Sequence, residues 1–312
     1  MTETPLVLDE AAVLALLPKA DILDAMRRMF AELGRAQAVQ PPQTLALFPE
    51  GRGDFITYLG ASTGAQLFGA KLSPYLVRQG GPVITAWTLL MSMQTGAPVL
   101  LCDSARLTTE RTAATTALAV DHLAGRGAAR LAIVGTGKVA EAHLRHVLPL
   151  RDWTGISVFS PGLGGDRAAY WRGLDPRVSL AASAEDAAQG ADVVMLCTSS
   201  GVPVLDTGAL RPGVLVTSIS TNVAKAHEVA PGFLAGADVY CDYRRTTPGV
   251  AGEMRLAQEQ GWTPEAIRGD LAELATGACP APSGTRPVFF RSVGLGLEDI
   301  FVAQAILAAA RA

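Results

Sequence analysis

Two cations stand where an anionic ligand could meet them. Lys71 lies inside an apolar run, and Arg111 stands among hydroxyl residues in Thr109-Glu110-Arg111-Thr112. A buried ammonium is costly unless a carboxylate or a substrate pairs with it, although a lysine in a strand usually extends its side chain to water. At a helix beginning, free N–H groups and positive charge collect anions. The two residues therefore predict an anion-binding site, and solvent-facing side chains are the alternative.

A glycine turn carries the second chemical signal. The apolar run 131–134 leads into Gly135-Thr136-Gly137-Lys138-Val139-Ala140, and a helix-patterned stretch follows to Leu148. Gly135 permits a tight turn, Gly137 lets backbone N–H groups approach a pyrophosphate, and the small Ala140 lets the helix pack close to the strand. The order strand, turn and helix predicts a dinucleotide site, and a glycine-rich turn without a ligand is the alternative.

The strand after this helix ends where a dinucleotide fold places the residue that faces the adenosine ribose. That position reads Val158-Phe159-Ser160-Pro161. Ser160 cannot repel a 2′-phosphate and Arg167 could attract one, whereas Asp166 could serve the free ribose hydroxyls if the loop folds back. NAD and NADP both remain open as the cofactor.

Two patterns of elements must position these residues. From residue 131 onward, strands and helices alternate, which predicts a parallel sheet with helices on both faces. The earlier part predicts a helix over 22–33, which should lie on a sheet, and then short antiparallel strands, including 67–72 and 83–93, broken by turns. The strongly apolar last helix, 301–310, needs cover from the first domain or from a second subunit.

The expected fold is α/β, a Rossmann-type parallel sheet domain plus an α+β substrate and dimerisation domain with antiparallel strands. Residues 125–291 form the predicted NAD(P)-binding domain, and residues 1–124 together with 292–312 form the other.

Composition excludes several classes of function. The chain has 312 residues, a net charge of −3 and 49% hydrophobic residues, with its charges spread along the sequence. It offers no basic stripe for nucleic acid, no polybasic membrane anchor and no targeting signal, so we expect a cytoplasmic protein. The four cysteines are far apart and predict buried thiols. We expect no metal, because no carboxylate or cysteine nearby completes a ligand set with His143 and His146. We expect both histidines on a solvated face of their helix.

These pieces together resemble the ornithine cyclodeaminase and μ-crystallin family over nearly the whole chain. The resemblance rests on several motifs in order. They are Gly69-Ala70-Lys71, Thr95-Gly96-Ala97-Pro98 followed by Cys102-Asp103, Arg111-Thr112-Ala113-Ala114, Gly135-Thr136-Gly137, Gly190-Ala191-Asp192-Val193-Val194, Pro212-Gly213 and Ser292-Val293-Gly294-Leu295-Gly296-Leu297-Glu298-Asp299.

The resemblance implies a homodimer, an NAD or NADP cofactor and hydride exchange at the α-carbon of an amino acid or its imine. It also implies that Lys71 and Arg111 hold the substrate beside the cofactor and that Thr112 contacts the cofactor. The predicted catalytic residues are Lys71, Arg111 and Asn222. The predicted cofactor-binding residues are Arg111, Thr112, Gly135, Thr136, Gly137, Lys138, Val139, Ser160, Thr198 and Ser220.

Departures from the family pattern favour one branch. The aspartate that cyclodeaminases use in ring closure falls at Asn222 when the later Glu228 is aligned, and an amide cannot accept a proton as a carboxylate does. The substrate arginine of the family falls at Gln43, and a glutamate is replaced near Thr57. Asn222 would then orient the substrate or the nicotinamide. The candidates for meeting a substrate carboxylate in place of the missing arginine are Arg52, Arg78, Arg244 and Arg245, and a surface charge without such a role is the alternative for each.

The expected activity is therefore NAD(P)H-dependent reduction of a small 2-imino acid to the L-amino acid. Iminosuccinate, the imine of pyruvate and a cyclic ketimine are candidate substrates. An ornithine or lysine cyclodeaminase and a non-catalytic protein that binds a cofactor or a small ligand are the alternatives.

Overall fold

The structure is a computed structural model that describes residues 4–221, 223 and 225–312. The chain divides into two compact units. Unit 1 comprises residues 1–111 and 294–312, and unit 2 comprises residues 112–293. The division falls inside one helix, after Arg111. The functional domain boundaries at 124/125 and 291/292 stay a prediction.

The elements as far as residue 111 form most of unit 1, and the last of them, a helix, continues into unit 2. In chain order they are β1 (Leu6–Leu8), α1 (Glu10–Leu16), α2 (Ile22–Gly34), β2 (Ala38–Val39), β3 (Thr44–Leu47), β4 (Gly53–Ser62), β5 (Leu67–Leu76), β6 (Val83–Ile84), β7 (Trp87–Ser92), β8 (Pro98–Asp103) and α3 (Ala105–Leu123).

The remaining elements form unit 2, except for the last helix, which belongs to unit 1. They are β9 (Arg130–Val134), α4 (Lys138–Val147), β10 (Gly155–Phe159), α5 (Gly165–Leu174), β11 (Val178–Leu180), α6 (Ala184–Ala188), β12 (Val193–Leu196), β13 (Leu215–Ser218), α7 (Phe233–Gly236), β14 (Asp238–Cys241), α8 (Thr247–Val250), α9 (Gly252–Gln258), β15 (Ile267–Asp270), α10 (Leu271–Thr276), β16 (Val288–Arg291) and α11 (Gly296–Arg311).

Unit 1 contains a mixed sheet whose main strand order is β1-β8-β7-β5-β4-β2, with β3 paired to β4 and β6 to β5. The ladders are antiparallel except that β1 runs parallel to β8. The β4–β5 ladder places Tyr58 opposite Lys71. Because side chains alternate between the faces of a strand, Tyr58 and Lys71 share one face of this sheet.

Helix α11 covers that same face, and glycines allow its close approach. A Cβ on Gly60 would lie 3.0 Å from the Cα of Leu297, and one on Gly69 would lie 3.1 Å from the side chain of Ile300. The expectation that the apolar last helix needs cover is confirmed, since its first three turns are buried in unit 1. Helix α2 begins as expected, with Asp21 as its N-cap. However, α2 packs mainly on α11 and not on the sheet, because α11 already occupies the sheet face.

Unit 2 contains the expected parallel sheet, in the order β11-β10-β9-β12-β13-β16-β14-β15. The chain moves outward from β9 to β11 and then returns to the other side of β9 with β12. In such folds, ligands bind beyond the carboxyl ends of the strands at this reversal point. The predicted α/β fold class is confirmed.

Some elements were not expected from the sequence. The run 83–93 is interrupted, so β6 and β7 are separate strands. Strand β15 and helices α9 and α10 were missed because they are short, and short apolar segments carry no clear period.

Candidate functional site

Unit 1 buries a cluster of two cations and two carboxylates on the α11 side of its sheet. Lys71 is only 1% exposed, and its Nζ lies 2.8 Å from Oδ2 of Asp299. Arg111 lies 3.3 Å from Oδ1 of the same aspartate and donates a 2.7 Å hydrogen bond to Oε2 of Glu298. The alternative of a solvent-facing side chain therefore fails for both cations.

The start of α11 supplies both carboxylates. Glu298 and Asp299 stand in the first turn of α11, where the helix dipole stabilises negative charge. The backbone N–H of Leu297 donates to Oε1 of Gln40 at 2.8 Å, which satisfies one free donor of that turn. Arg111 lies in the second turn of α3 and not at its beginning as expected, because α3 starts earlier, at Ala105. Its anion partners are thus side chains and not the N–H groups of a helix end.

Tyr58 and Thr108 complete the surroundings of Lys71. The lysine Nζ lies 4.2 Å from the centre of the Tyr58 ring and 3.4 Å from Oγ1 of Thr108. An ammonium over an aromatic face is attracted by the electron density of the ring. The residue that faces Lys71 where the cyclodeaminase glutamate was sought is thus Tyr58. Thr57 lies on the opposite face of β4, since neighbouring side chains alternate.

Burial and neighbouring charge act against each other on this cluster. Burial lowers the pKa of Lys71, Arg111 adds to the lowering, and Asp299 opposes it. Burial also raises the pKa of Tyr58, while the charge of Arg111 opposes that change. For Arg111, burial works to lower the pKa, but the charges of Asp299 and Glu298 outweigh it and raise the value. Lys71 is therefore the cation of this cluster that releases a proton most readily.

Unit 2 forms the glycine turn at the carboxyl end of β9. Gly135 has a φ of +115°, and a Cβ there would collide with the carbonyl oxygen of Cys197. Gly137 is the N-cap of α4, and no side chain caps the helix at that residue. A Cβ added to Gly137 would meet no atom within 4 Å among the described residues. The first N–H groups of α4 are thus available to an anion.

The other turn residues lie around this point. Thr136 accepts a hydrogen bond from the Trp171 indole at its backbone oxygen, at 3.3 Å. Lys138 is exposed as the first residue of α4, and Val139 follows it with a half-buried side chain. Thr112, in α3, is half-buried, and its backbone oxygen accepts from Thr116. The roles of these residues toward a cofactor stay predictions.

Thr198 and Ser220 follow β12 and β13, which are neighbours in the sheet, and both are held by one residue to which the sequence assigned no role. Glu228 is fully buried and accepts from the backbone N–H and hydroxyl of Thr198 at 2.8 and 2.7 Å. It also accepts from the backbone N–H of Ser220 at 3.0 Å. The available signal was a carboxylate in the apolar context Ala226-His227-Glu228-Val229. From the sequence, Glu228 was only the reference position that places the family aspartate at Asn222.

The ribose position is a loop without an acidic residue at the strand end. Ser160 follows β10 directly and is half-buried, whereas Asp166 and Arg167 are exposed in the first turn of α5. The choice between NAD and NADP stays open.

Several remaining predictions have mixed outcomes. Asn222 lies outside the described residues. Gln43 is exposed just before β3. Two of the candidate arginines already have carboxylate partners, Arg52 with Glu50 and Arg244 with Glu273.

His143 was wrongly assigned to a solvated helix face. It is buried, and its ring nitrogens contact the Val139 carbonyl and the Thr116 hydroxyl at 2.7 and 3.0 Å. Three of the four cysteines are buried as expected, and burial raises the pKa of Cys102 to about 11. In the described part of the chain, no helix is long and apolar enough to cross a bilayer.

Known proteins resemble this chain along its whole length. It is 58% identical over 304 residues to the NAD(P)H-dependent anabolic L-arginine dehydrogenase of Pseudomonas aeruginosa, covering 97% of this chain and 96% of that protein. The iminosuccinate reductase of Paracoccus denitrificans, solved with NAD+, superposes with a TM-score of 0.90 at 21% identity, covering 99% of this chain and 97% of that one.

A third protein has the same fold. The Δ1-pyrroline-2-carboxylate reductase of Thermococcus litoralis, solved with NADH and L-proline, has a TM-score of 0.88 at 22% identity, covering 98% and 97% of the two chains. At these identities the two solved structures support the fold alone. The family model described as ornithine cyclodeaminase/mu-crystallin matches residues 3–312. The chain therefore belongs to the ornithine cyclodeaminase/mu-crystallin family.

Proposed function

We propose that this chain interconverts a 2-imino acid and the corresponding L-amino acid with NAD(P)H, and that its substrate has a long basic side chain of the arginine type. The general class, an NAD(P)-dependent oxidoreductase acting on CH–NH2 or C=N bonds, is confirmed by the 58% identity over nearly the full chain. That identity to an L-arginine dehydrogenase supports the arginine-type substrate in preference to the small imines expected from the sequence.

The buried pair of Lys71 and Arg111 is the observation that carries the proposal. A 2-imino acid brings a carboxylate and a C=N bond, so its site needs a fixed cation and a group that can exchange a proton. The planar guanidinium of Arg111 suits a carboxylate. Burial lowers the pKa of Lys71 below its ordinary value, which favours proton release to the substrate nitrogen.

The glycine turn fits a dinucleotide. Uncapped N–H groups at the start of α4 and the open space at Gly137 suit a pyrophosphate, with Thr198 and Ser220 beyond the neighbouring strand ends. NAD(P)H, when bound, supplies the hydride. We assign cofactor binding to residues 125–291 and the substrate groups to residues 1–124 with 292–312.

A homodimer is the proposed assembly. The sheet face of unit 1 that points away from Lys71 exposes a row of apolar side chains. These are Leu59 (41% exposed), Phe68 (38%), Leu72 (46%) and Leu89 (37%). A contiguous exposed apolar patch marks an interaction surface. A second copy of this chain would cover it across a two-fold axis.

The function is tested by following reduced-cofactor absorbance with a panel of 2-oxo acids and ammonia. We expect the largest kcat/KM with 5-guanidino-2-oxopentanoate, and oxidation of L-arginine in reverse. The panel includes oxaloacetate, pyruvate and pyrroline-2-carboxylate for the small imines, and L-ornithine with NAD+ for the cyclodeaminase. A higher kcat/KM for a small imine would replace the substrate. Cofactor binding without any turnover would favour a binding protein.

Lys71→Ala should lower kcat/KM by at least about 100-fold, which is typical of a lost catalytic group. Because this change leaves Asp299 without its lysine, circular dichroism and thermal melting must show that the variant is folded. Lys71→Arg is the matched variant, since it keeps the cation but cannot release a proton at working pH. Its kcat should also fall. A wild-type rate in Lys71→Arg would leave Lys71 a purely electrostatic role.

Gly137→Ala should weaken NAD(P)H binding at least about 10-fold without lowering the melting temperature. Its φ of −79° suits alanine and the added Cβ meets no described atom, so only the approach of a ligand is affected. Fluorescence titration of NAD(P)H gives the Kd. Gly127→Ala, also in open space, is the control and should bind as the wild type does. Equal affinity of the two variants would count against a pyrophosphate at this turn.

Leu72→Glu should convert a dimer into monomers, because it places a charge among these exposed apolar side chains. Light scattering after size exclusion should give twice the chain mass for the wild type and the single mass for the variant. Leu14→Glu, at a similarly exposed leucine of α1 away from this row, should remain dimeric. A monomeric wild type would refute the assembly.

A further inference from the structure

The Lys71 face of the unit 1 sheet continues beyond the buried cluster. The ladders place Ile56 opposite Ser73, and then Asp54 opposite Tyr75, on the same face as Tyr58 and Lys71. Helix α11 begins beside Tyr58 and runs toward Gly60, because a Cβ on Gly296 would lie 2.5 Å from the Leu59 carbonyl oxygen. The Asp54 end of this face is therefore not under the helix.

At that end of the face, one carboxylate lies among exposed apolar side chains, which are distinct from those of the proposed dimer surface. Strand pairing aligns Leu47, Asp54, Tyr75 and Ile84 across β3, β4, β5 and β6. The apolar members are exposed, with Leu47 at 75%, Tyr75 at 39% and Ile84 at 67%, whereas Asp54 is half-buried among them. Among the contacts of the described residues, none pairs the Asp54 carboxylate with a cation or a donor.

This chemistry suits a cation on an apolar stem. An apolar floor contacts methylene groups, an aromatic ring accepts a guanidinium over its face, and a carboxylate accepts two parallel N–H bonds from it. Because Asp54 is half-buried among apolar side chains, its carboxylate is partly desolvated without a described partner that compensates for this.

The distance along the strands agrees with this ligand. Asp54 and Tyr58 are four residues apart on β4, which corresponds to about 13 Å. An extended arginine-type substrate spans about 7 Å from its carboxylate carbon to its guanidinium carbon. The terminal C–O and C–N bonds and one polar contact of about 3 Å at each end extend the reach to roughly 15 Å, which covers this separation.

We propose that Asp54 binds the terminal cation of the substrate side chain, with Tyr75 as the aromatic wall, while Arg111 holds its carboxylate and Lys71 faces its nitrogen. This inference rests on the proposed function and names a residue that determines specificity. The site then measures the length and charge of the side chain. Neutral side chains of the same length lack the partner that Asp54 offers.

The test compares L-arginine with L-citrulline, which has the same shape and no charge, as substrates for oxidation with NAD(P)+. The wild type should prefer L-arginine at least about 100-fold in kcat/KM. Asp54→Asn should lower kcat/KM for L-arginine by about 10- to 100-fold, mainly through KM, because a charge-assisted contact is lost. Activity toward L-citrulline should stay the same or rise.

Glu50→Gln is the matched control, since Glu50 is an exposed carboxylate nearby that is already paired with Arg52. It should keep the wild-type preference. If the wild type oxidises L-arginine and Asp54→Asn keeps the full preference over L-citrulline, the Asp54 site is refuted while the proposed function stands. If the wild type acts only on small imino acids, the proposed function itself fails. Thermal melting of Asp54→Asn should match the wild type, since no described contact is removed.

Discussion

The shared carboxylate of Asp299 is the contact on which the unit 1 site depends. It pairs with Lys71, which is in the middle of the sheet, and with Arg111, which is in α3. Asp299 itself belongs to the last helix of the chain. Two buried cations this close would repel each other, and removing one partner of a buried pair typically costs about 3–5 kcal/mol. The last helix therefore does more than fill the core. It makes the burial of Lys71 and Arg111 possible.

Side chains alternate between the two faces of β4 and β5, so one sheet presents two different surfaces. Tyr58, Lys71 and Asp54 lie on the face that α11 partly covers, while Leu59 and Leu72 lie on the opposite face. A one-residue slip in register would exchange these sets and bury the wrong side chains. Gly60 and Gly69 let α11 lie close to this face, because larger residues would meet the helix or a neighbouring strand.

The sequence predicted the parts of the site that have a local signal. A glycine turn between a strand and a helix, and a lysine in an apolar run, are both visible within a few residues. The partner of Arg111 was not visible, because Glu298 is 187 residues away in the chain. Tyr58 was missed by one residue, and in a strand a shift of one residue places the side chain on the opposite face. Glu228 was missed because its hydrogen-bond donors, at the ends of two different strands, come together only in the folded structure.

Glu228 explains how unit 2 can keep two loops in place at the reversal point of its sheet. One buried carboxylate needs several donors, and it finds them at Thr198 after β12 and at Ser218 and Ser220 beside β13. Arg291, buried at the end of the next strand, lies 2.9 Å from Glu253 and also contacts Ser220. In sequence, Asn222 lies between Ser220 and Glu228. The buried polar network thus holds Ser220 and Glu228 to the ends of neighbouring strands.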